Sequence, residues 1–174
     1  LSEKSTSSPL FQLFSVGVIL VGMSAAAYTL GGIVQMMLEG EIERALGHHR
    51  MTHRIEKLDR HVIICGYGRV GQSLADELAR NKTPFVVIEM EAKVLDEAGY
   101  KNVLCVSGDA TDEEILLSAG IDRARALITA LPNDAANVFI TLTTRNINPE
   151  IMIISRADHA STEKKLRQAG ANKV

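Results

Sequence analysis

Three glycines carry the clearest chemical signal in the chain. The run from His61 to Gln72 reads HVIICGYGRVGQ, so Gly66, Gly68 and Gly71 stand in the G-x-G-x-x-G spacing that lets backbone hold a phosphate. Gly66 permits a tight turn, Gly68 lets N–H groups approach the ligand, and Gly71 allows a helix to pack closely on the preceding strand. The phosphate then meets the helix N-terminus, where unpaired N–H groups and the positive end of the helix dipole coincide. Arg69, inside the motif, can place a guanidinium on that phosphate as a bidentate partner, although it equally suits a solvated first helical turn.

Two further groups suit a nucleotide. Glu89 lies eighteen residues after Gly71, where a carboxylate accepts hydrogen bonds from ribose hydroxyls. Its charge would repel a 2′-phosphate, which favours NAD or an adenosine nucleotide over NADP. Gly108-Asp109-Ala110-Thr111 follows a third apolar run and would reach the adenine end of a ligand lying across the strand ends. Thr111 with Glu114 has the spacing of a capping box, so Thr111 is assigned to a helix cap, and Asp109 and Ala110 remain site candidates. The candidate nucleotide-contacting set is Gly66, Tyr67, Gly68, Arg69, Val70, Gly71, Glu89, Asp109 and Ala110.

Other chemistries find less support. His48, His49 and His53 fall in a charged stretch without a cysteine, which reads as a solvated helix face rather than a four-ligand zinc site. A dehydrogenase would need a placed acid or base. No Tyr-x-x-x-Lys pair occurs, and His159 beside Asp158 is the best remaining candidate, which a surface loop explains equally well. Gly66-Tyr67-Gly68 imitates part of a TVGYG potassium filter, but Ile64-Cys65 precedes it and the glycine fingerprint continues through Gly71.

The elements that must position these residues alternate. Strand-like runs cover 61–65, 85–89, 103–106, 126–129 and 151–155, and helical patterns cover 70–80, 92–98, 112–119, 134–145 and 160–168. Regular alternation of β and α implies an α/β fold, a Rossmann-like doubly wound parallel sheet with helices on both faces. Cys65 and Cys105 both fall in predicted buried strands and read as small core hydrophobes in a reducing compartment.

Before this domain the chain is of another kind. No charged residue occurs between Lys4 and Glu39, and residues 10–38 are almost continuously apolar. At about 1.5 Å per residue such a helix exceeds the roughly 30 Å of hydrocarbon in a bilayer, so one transmembrane helix is expected, with Pro9 in its first turn. Lys4, the apolar run and Ala25-Ala26-Ala27 imitate a secretory signal, yet the apolar stretch continues well past Ala27. Gly22 with Ala26, and Ala27 with Gly31, give the small-xxx-small spacing of helices packed in a membrane. Residues 39–60 are densely charged and read as a helical linker; the Lys/Arg excess there, against Lys4 alone before the span, places the α/β part in the cytoplasm. The expected organisation is 1–38 post-filter segment and inner helix, 39–59 linker, and 60–174 nucleotide-binding domain.

Composition narrows the partners. The 174 residues are 46% hydrophobic with 4% aromatic, no Trp and a net charge of −2, so a basic footprint for nucleic acid is missing. The chain opens on Leu1 and stops at Val174 in what reads as the start of another strand, and it is expected to be a piece of a longer protein.

Taken together, HVIICGYGRVG (61–71), VIE (87–89), SGDAT (107–111) and LRQAGANKV (166–174) resemble the RCK (regulator of potassium conductance, TrkA-N type) domains of prokaryotic potassium channels and transport systems. The uncharged span and charged linker resemble the pore-lining inner helix of a two-transmembrane channel. The resemblance implies a homo-oligomer, a tetrameric potassium-conducting pore in the inner (plasma) membrane with a cytoplasmic gating ring. Ser2 to Pro9 would then lie just after the filter. Nucleotide, as NAD, ADP or ATP, would be held by Gly66, Gly68, Arg69, Gly71, Glu89 and Asp109. Gly22 is the nearest candidate for a hinge glycine. Some family members also bind a regulatory divalent cation, for which Glu89, Glu91, Asp109 and Glu113 are available without a spacing that defines a cage. The resemblance implies a gating subunit rather than an enzyme. The rival readings are the regulatory domain of a potassium transporter or antiporter, and a membrane-anchored NAD-dependent dehydrogenase.

Overall fold

A computed structural model describes the backbone of residues 9–100 and 102–174, and the side chains of these except 9–11, 33–50, 96, 97, 99 and 100. Ser2 to Ser8, and the linker side chains from Glu39 to Arg50 with His48 and His49, therefore lie outside the described residues. The chain divides into two units, 1–48 and 49–174.

The first unit is helical. Helix α1 (Pro9–Glu56) begins on proline, whose fixed φ and missing N–H suit the first helical position. Its stretch Gln12–Gly32, 21 residues at mean hydropathy 1.9, is long and apolar enough to cross a membrane. Leu13, Phe14, Val21 and Tyr28 on it are exposed. Two hydroxyls in this stretch are satisfied within the helix: Ser24 Oγ donates to Leu20 O at 2.8 Å and Thr29 Oγ1 to Ala25 O at 3.0 Å. Such back-bonding removes the need for water.

The second unit is built on β1 (Val62–Cys65), all four of whose side chains are buried, as expected for a strand covered on both faces. It is followed by α2 (Arg69–Arg80), β2 (Phe85–Glu89), α3 (Ala92–Tyr100), β3 (Cys105–Ser107), α4 (Glu113–Ser118), β4 (Ala126–Thr129), α5 (Asp134–Ile147), β5 (Met152–Ser155) and α6 (Ala160–Gln168). The strands pair in parallel in the order β3-β2-β1-β4-β5. The order reverses between β1 and β4, so the crevice at the carboxyl ends opens there. Alternate residues of β1 feed two cores. Val62 and Ile64 pack with Tyr67, Ala75 and Ala98 on the face of α2 and α3, and Ile63 and Cys65 pack with Leu116, Ile140 and Leu166 on the face of α4, α5 and α6.

The elements expected from sequence are all present, with one shift worth explaining. The third strand was expected over 103–106 and runs over Cys105–Ser107, because it is the sheet edge and pairs only with β2, from Val87 opposite Cys105 onward. For the same reason Cys105 is half-buried, not the fully buried core residue expected, whereas Cys65 is fully buried. Burial pushes both free thiols up to about 12, helped at Cys105 by the nearby Glu89 charge. Lys173 forms a parallel bridge with Ile154, a start of strand pairing beyond β5.

The second unit begins at His49, inside the stretch read from sequence as a linker. Hydrophobic burial accounts for this: Ile55 is 2% exposed and belongs to the core, with Met51 and Leu58 packed beside it. Arg123 then caps the end of α1, its Nε donating to Leu58 O at 2.9 Å and its Nη2 to Ile55 O at 3.2 Å. Ile55 O also accepts from Leu58 N at 3.0 Å, so Arg123 adds a second donor there and supplies the side-chain donor to Leu58 O just beyond the helix.

Candidate functional site

The three glycines behave as three different parts. Gly66 sits at φ +96, a conformation other residues rarely adopt, and turns the chain as it leaves β1. Gly71 is buried, and a Cβ there would lie 2.0 Å from Gly66 O, so only glycine lets α2 approach the turn. Gly68 has ordinary φ −71 and is the N-cap of α2, and a Cβ there would meet nothing within 4 Å. The absent side chain at Gly68 therefore leaves open space beside the first-turn N–H groups, and no acidic residue occupies that turn.

Glu89, at the end of β2, holds this turn in place. Its Oε2 accepts from Tyr67 N at 2.8 Å, and its Oε1 accepts from Met90 N at 2.8 Å and Glu91 N at 2.9 Å. A carboxylate offers about four lone-pair directions, so three are engaged and one remains for a ligand hydroxyl. The glycine turn is also stitched to both neighbouring strands, through Gly66 N to Ile88 O at 2.8 Å and Ala130 N to Cys65 O at 2.9 Å.

A cleft of about 880 Å³ opens over the carboxyl ends of β1, β2, β4 and β5. Gly66, Gly68, Arg69, Val70 and Glu89 from the predicted set line it. Arg69 is exposed, and among the described residues no carboxylate pairs with it. The cleft suits a phosphate-bearing ligand: it has an uncapped helix end, an uncommitted guanidinium and a backbone that nothing shields at Gly68.

The other predicted residues stand elsewhere. Gly71 acts from beneath, through packing. Tyr67 contributes its backbone N–H, while its side chain is 1% exposed and lies in the core on the α2 face. Ala110 is buried in the opposite core cluster, and Asp109, although exposed, is outside the cleft lining. Asp109 Oδ1 accepts from Thr111 N at 2.9 Å and Thr111 Oγ1 at 2.8 Å. The expected Thr111–Glu114 capping box is therefore not formed. Asp112 is the N-cap of α4 and accepts from Glu114 N at 3.1 Å, because Thr111 is already spent on Asp109 and the helix begins one residue later.

Sequence reasoning missed Ala130, Leu131 and Pro132 after β4, and Arg156 after β5, all of which line the cleft. The signal was available, since Ala130 and Arg156 directly follow strands, Leu131 and Pro132 continue the same loop, and ligands in open parallel sheets sit outside the carboxyl ends. His159 does not pair with Asp158. Its Nδ1 faces Asp134 Oδ2 at 3.1 Å, while Asp158 pairs with Arg156. Asp134 also accepts from Asp158 N at 2.8 Å, and hydrogen bonding by that N–H, by Thr162 and by His159 holds its carboxyl down to about 2. Among the described residues no group of three or more His, Cys, Asp or Glu is placed to hold a metal ion. His53 lies beside Glu56 at 3.4 Å on the exposed end of α1.

With this geometry in view, residues 62–174 match the TrkA-N domain. Potassium channel protein 1 of Methanocaldococcus jannaschii is 43% identical over 158 residues, covering 90% of this chain and 47% of the relative. Probable potassium channel protein 2 of the same organism is 39% identical over 163 residues, covering 92% and 48%. The chain thus spans about half the length of these relatives. Among solved structures, the TrkA-N domain of the inner membrane protein ybaL from Escherichia coli superposes with a TM-score of 0.66 at 36% identity, over 68% of this chain and 87% of that one. GsuK bound to ADP gives a TM-score of 0.64 at 26% identity, over 100% of this chain and 46% of that one. The GsuK channel bound to NAD gives 0.62 at 26%, over 99% and 31%.

Proposed function

The chain belongs to the TrkA-N family, and from that premise we propose that it is part of a ligand-gated potassium channel subunit whose α/β domain senses a nucleotide. The observation that carries the reading is the conjunction, in one chain, of a stretch long enough to cross a membrane and a glycine turn left open at the switch point of a parallel sheet. In this reading Gln12–Gly32 lines a pore within the cell membrane, four copies assemble around it, and the α/β domains form a cytoplasmic ring.

The ligand is NAD or an adenine nucleotide, in keeping with the ADP and NAD bound to GsuK. Its phosphate seats on the N–H groups at Gly68 and the α2 N-terminus, with Arg69 closing over it. Glu89 uses its remaining acceptor direction for a ribose hydroxyl, and the adenine end would extend towards the turn after β3, reaching the exposed Asp109, with the buried Ala110 shaping that turn from beneath. In this reading the chain is a sensor, in keeping with relatives named potassium channel proteins. Binding shifts the gate only by the difference in affinity between its two states, typically about 1–3 kcal/mol of coupling.

Potassium flux from liposomes containing the full-length protein, with and without NAD or ADP, tests the reading. Selective flux that changes on adding nucleotide is expected. Absence of selective flux under every ligand would overturn the channel assignment, and hydride transfer from bound NAD would replace it with an enzyme.

A further inference from the structure

The cleft contains a second arginine whose placement is unusually well fixed. Arg156 follows β5, two strands from β1, so the two strand ends lie roughly 10 Å apart at about 4.8 Å per strand. Its backbone is pinned on both sides. Arg156 N donates to Thr129 O at 3.1 Å, and Arg156 O accepts from Asn137 Nδ2 at 3.0 Å. The same Asn137 amide, fully buried, also donates to Leu131 O at 3.0 Å. One side chain thus ties together the two cleft walls that follow β4 and β5.

The guanidinium is held as firmly. Its Nε and Nη2 donate to a single oxygen, Asp158 Oδ1, at 2.9 and 2.7 Å. Asp158 is itself anchored, its N–H donating to Asp134 Oδ1 at 2.8 Å. These contacts engage two of the five N–H groups an arginine carries, and Nη1 has no partner among the described residues. Both side chains of the pair are more than a third exposed or close to it, so the ion pair adds little to stability. What it does is hold a planar cation at the rim of the cleft with donors left over.

We propose that Arg156 is the specificity-determining residue by which this cleft prefers a nucleotide with a second phosphate, a nucleoside diphosphate or a dinucleotide, over a nucleoside monophosphate. The inference rests on the nucleotide reading of the same cleft. The first phosphate is taken by Gly68 and Arg69, and Arg156, on the far wall, takes the anionic group beyond it. A planar fork matches phosphate oxygens in a way a lysine cannot, so R156K loses most of the preference.

Calorimetric titration of ADP, NAD and AMP into the full-length protein in detergent tests this. For R156Q, affinity for ADP and NAD is expected to fall about tenfold, the size of one charge-assisted hydrogen bond, while AMP stays within about twofold. The melting temperature is expected to be unchanged. Should R156Q melt early, R156K carries the same comparison. An ADP-to-AMP ratio equal to that of the wild type in both variants would overturn the inference and leave the nucleotide reading intact. Wild-type protein that binds none of the three would instead remove the nucleotide reading itself.

Discussion

The two edges of the sheet use the same residue types for opposite ends. At the amino edge, polar side chains are consumed by backbone. Arg123 caps Ile55 O and Leu58 O, and Arg145 reaches Ile151 O at 3.0 Å and Gly170 O at 2.7 Å. Asn148 donates to Ile121 O at 2.9 Å, and His61, buried and with its pKa lowered by that burial, donates through Nε2 to Ala119 O at 2.8 Å. At the carboxyl edge Arg69 has no carboxylate partner among the described residues, Arg156 uses only part of its fork, and Gly68 presents bare backbone. An arginine satisfied by carbonyls serves the fold; the arginines with donors to spare at the carboxyl ends are the ones the proposed nucleotide site draws on.

The sharpest way to break this contrast lies within the glycine motif. Gly71→Ala forces a Cβ into Gly66 O and is expected to cost about 3 kcal/mol, at the top of the overpacking range, with loss of nucleotide binding. Urea denaturation measures it. Arg123→Ala is expected to cost about 1 kcal/mol by removing the donor to Leu58 O and the second donor to Ile55 O, yet to leave nucleotide affinity unchanged. An altered affinity there would show that the edges are not independent. Gly68→Ala reverses the pattern. Its Cβ enters open space, so stability should move by less than about 0.5 kcal/mol while nucleotide affinity falls at least about tenfold. Arg69→Gln should likewise spare stability and weaken binding about fivefold, read by calorimetry.

The smallest expected effect is in acid. Asp134 has a folded-state value of about 2, below the usual carboxylate value of about 3.9, so its contribution is complete above about pH 4. It is lost as pH falls from there towards 2. Asp134→Asn should flatten the acid limb of the melting curve in that window, and an unchanged limb would show that the Asp134 contacts do not survive in solution.

Much of this was legible in the sequence, and the reasons are local. A strand buried on both faces must be an unbroken apolar run, as Val62 to Cys65 is, and a glycine that cannot tolerate a Cβ has no substitute, as at Gly71. What escaped was either ambiguous or distant. Thr111 and Asp112 are adjacent residues equally able to cap, and only the contact between Thr111 and Asp109 decides between them. Arg123 bonds carbonyls 65 and 68 residues away, and a carbonyl has no sequence signature. Arg156 is a single arginine after a strand, recognisable only once the cleft closes around it.

The capping of α1 also sets a transmission distance. Arg123 grips the helix end just before β4, and Ala130, at the other end of β4, lines the cleft. Between them lie the loop residues Ala124 and Arg125 and the four residues of β4, about 13 Å of strand at roughly 3.3 Å each. Because β4 is bonded along its length to β1 and β5, it works as a strut and not as a tether. Load applied at either end travels through a braced strand and reaches the glycine turn with little slack.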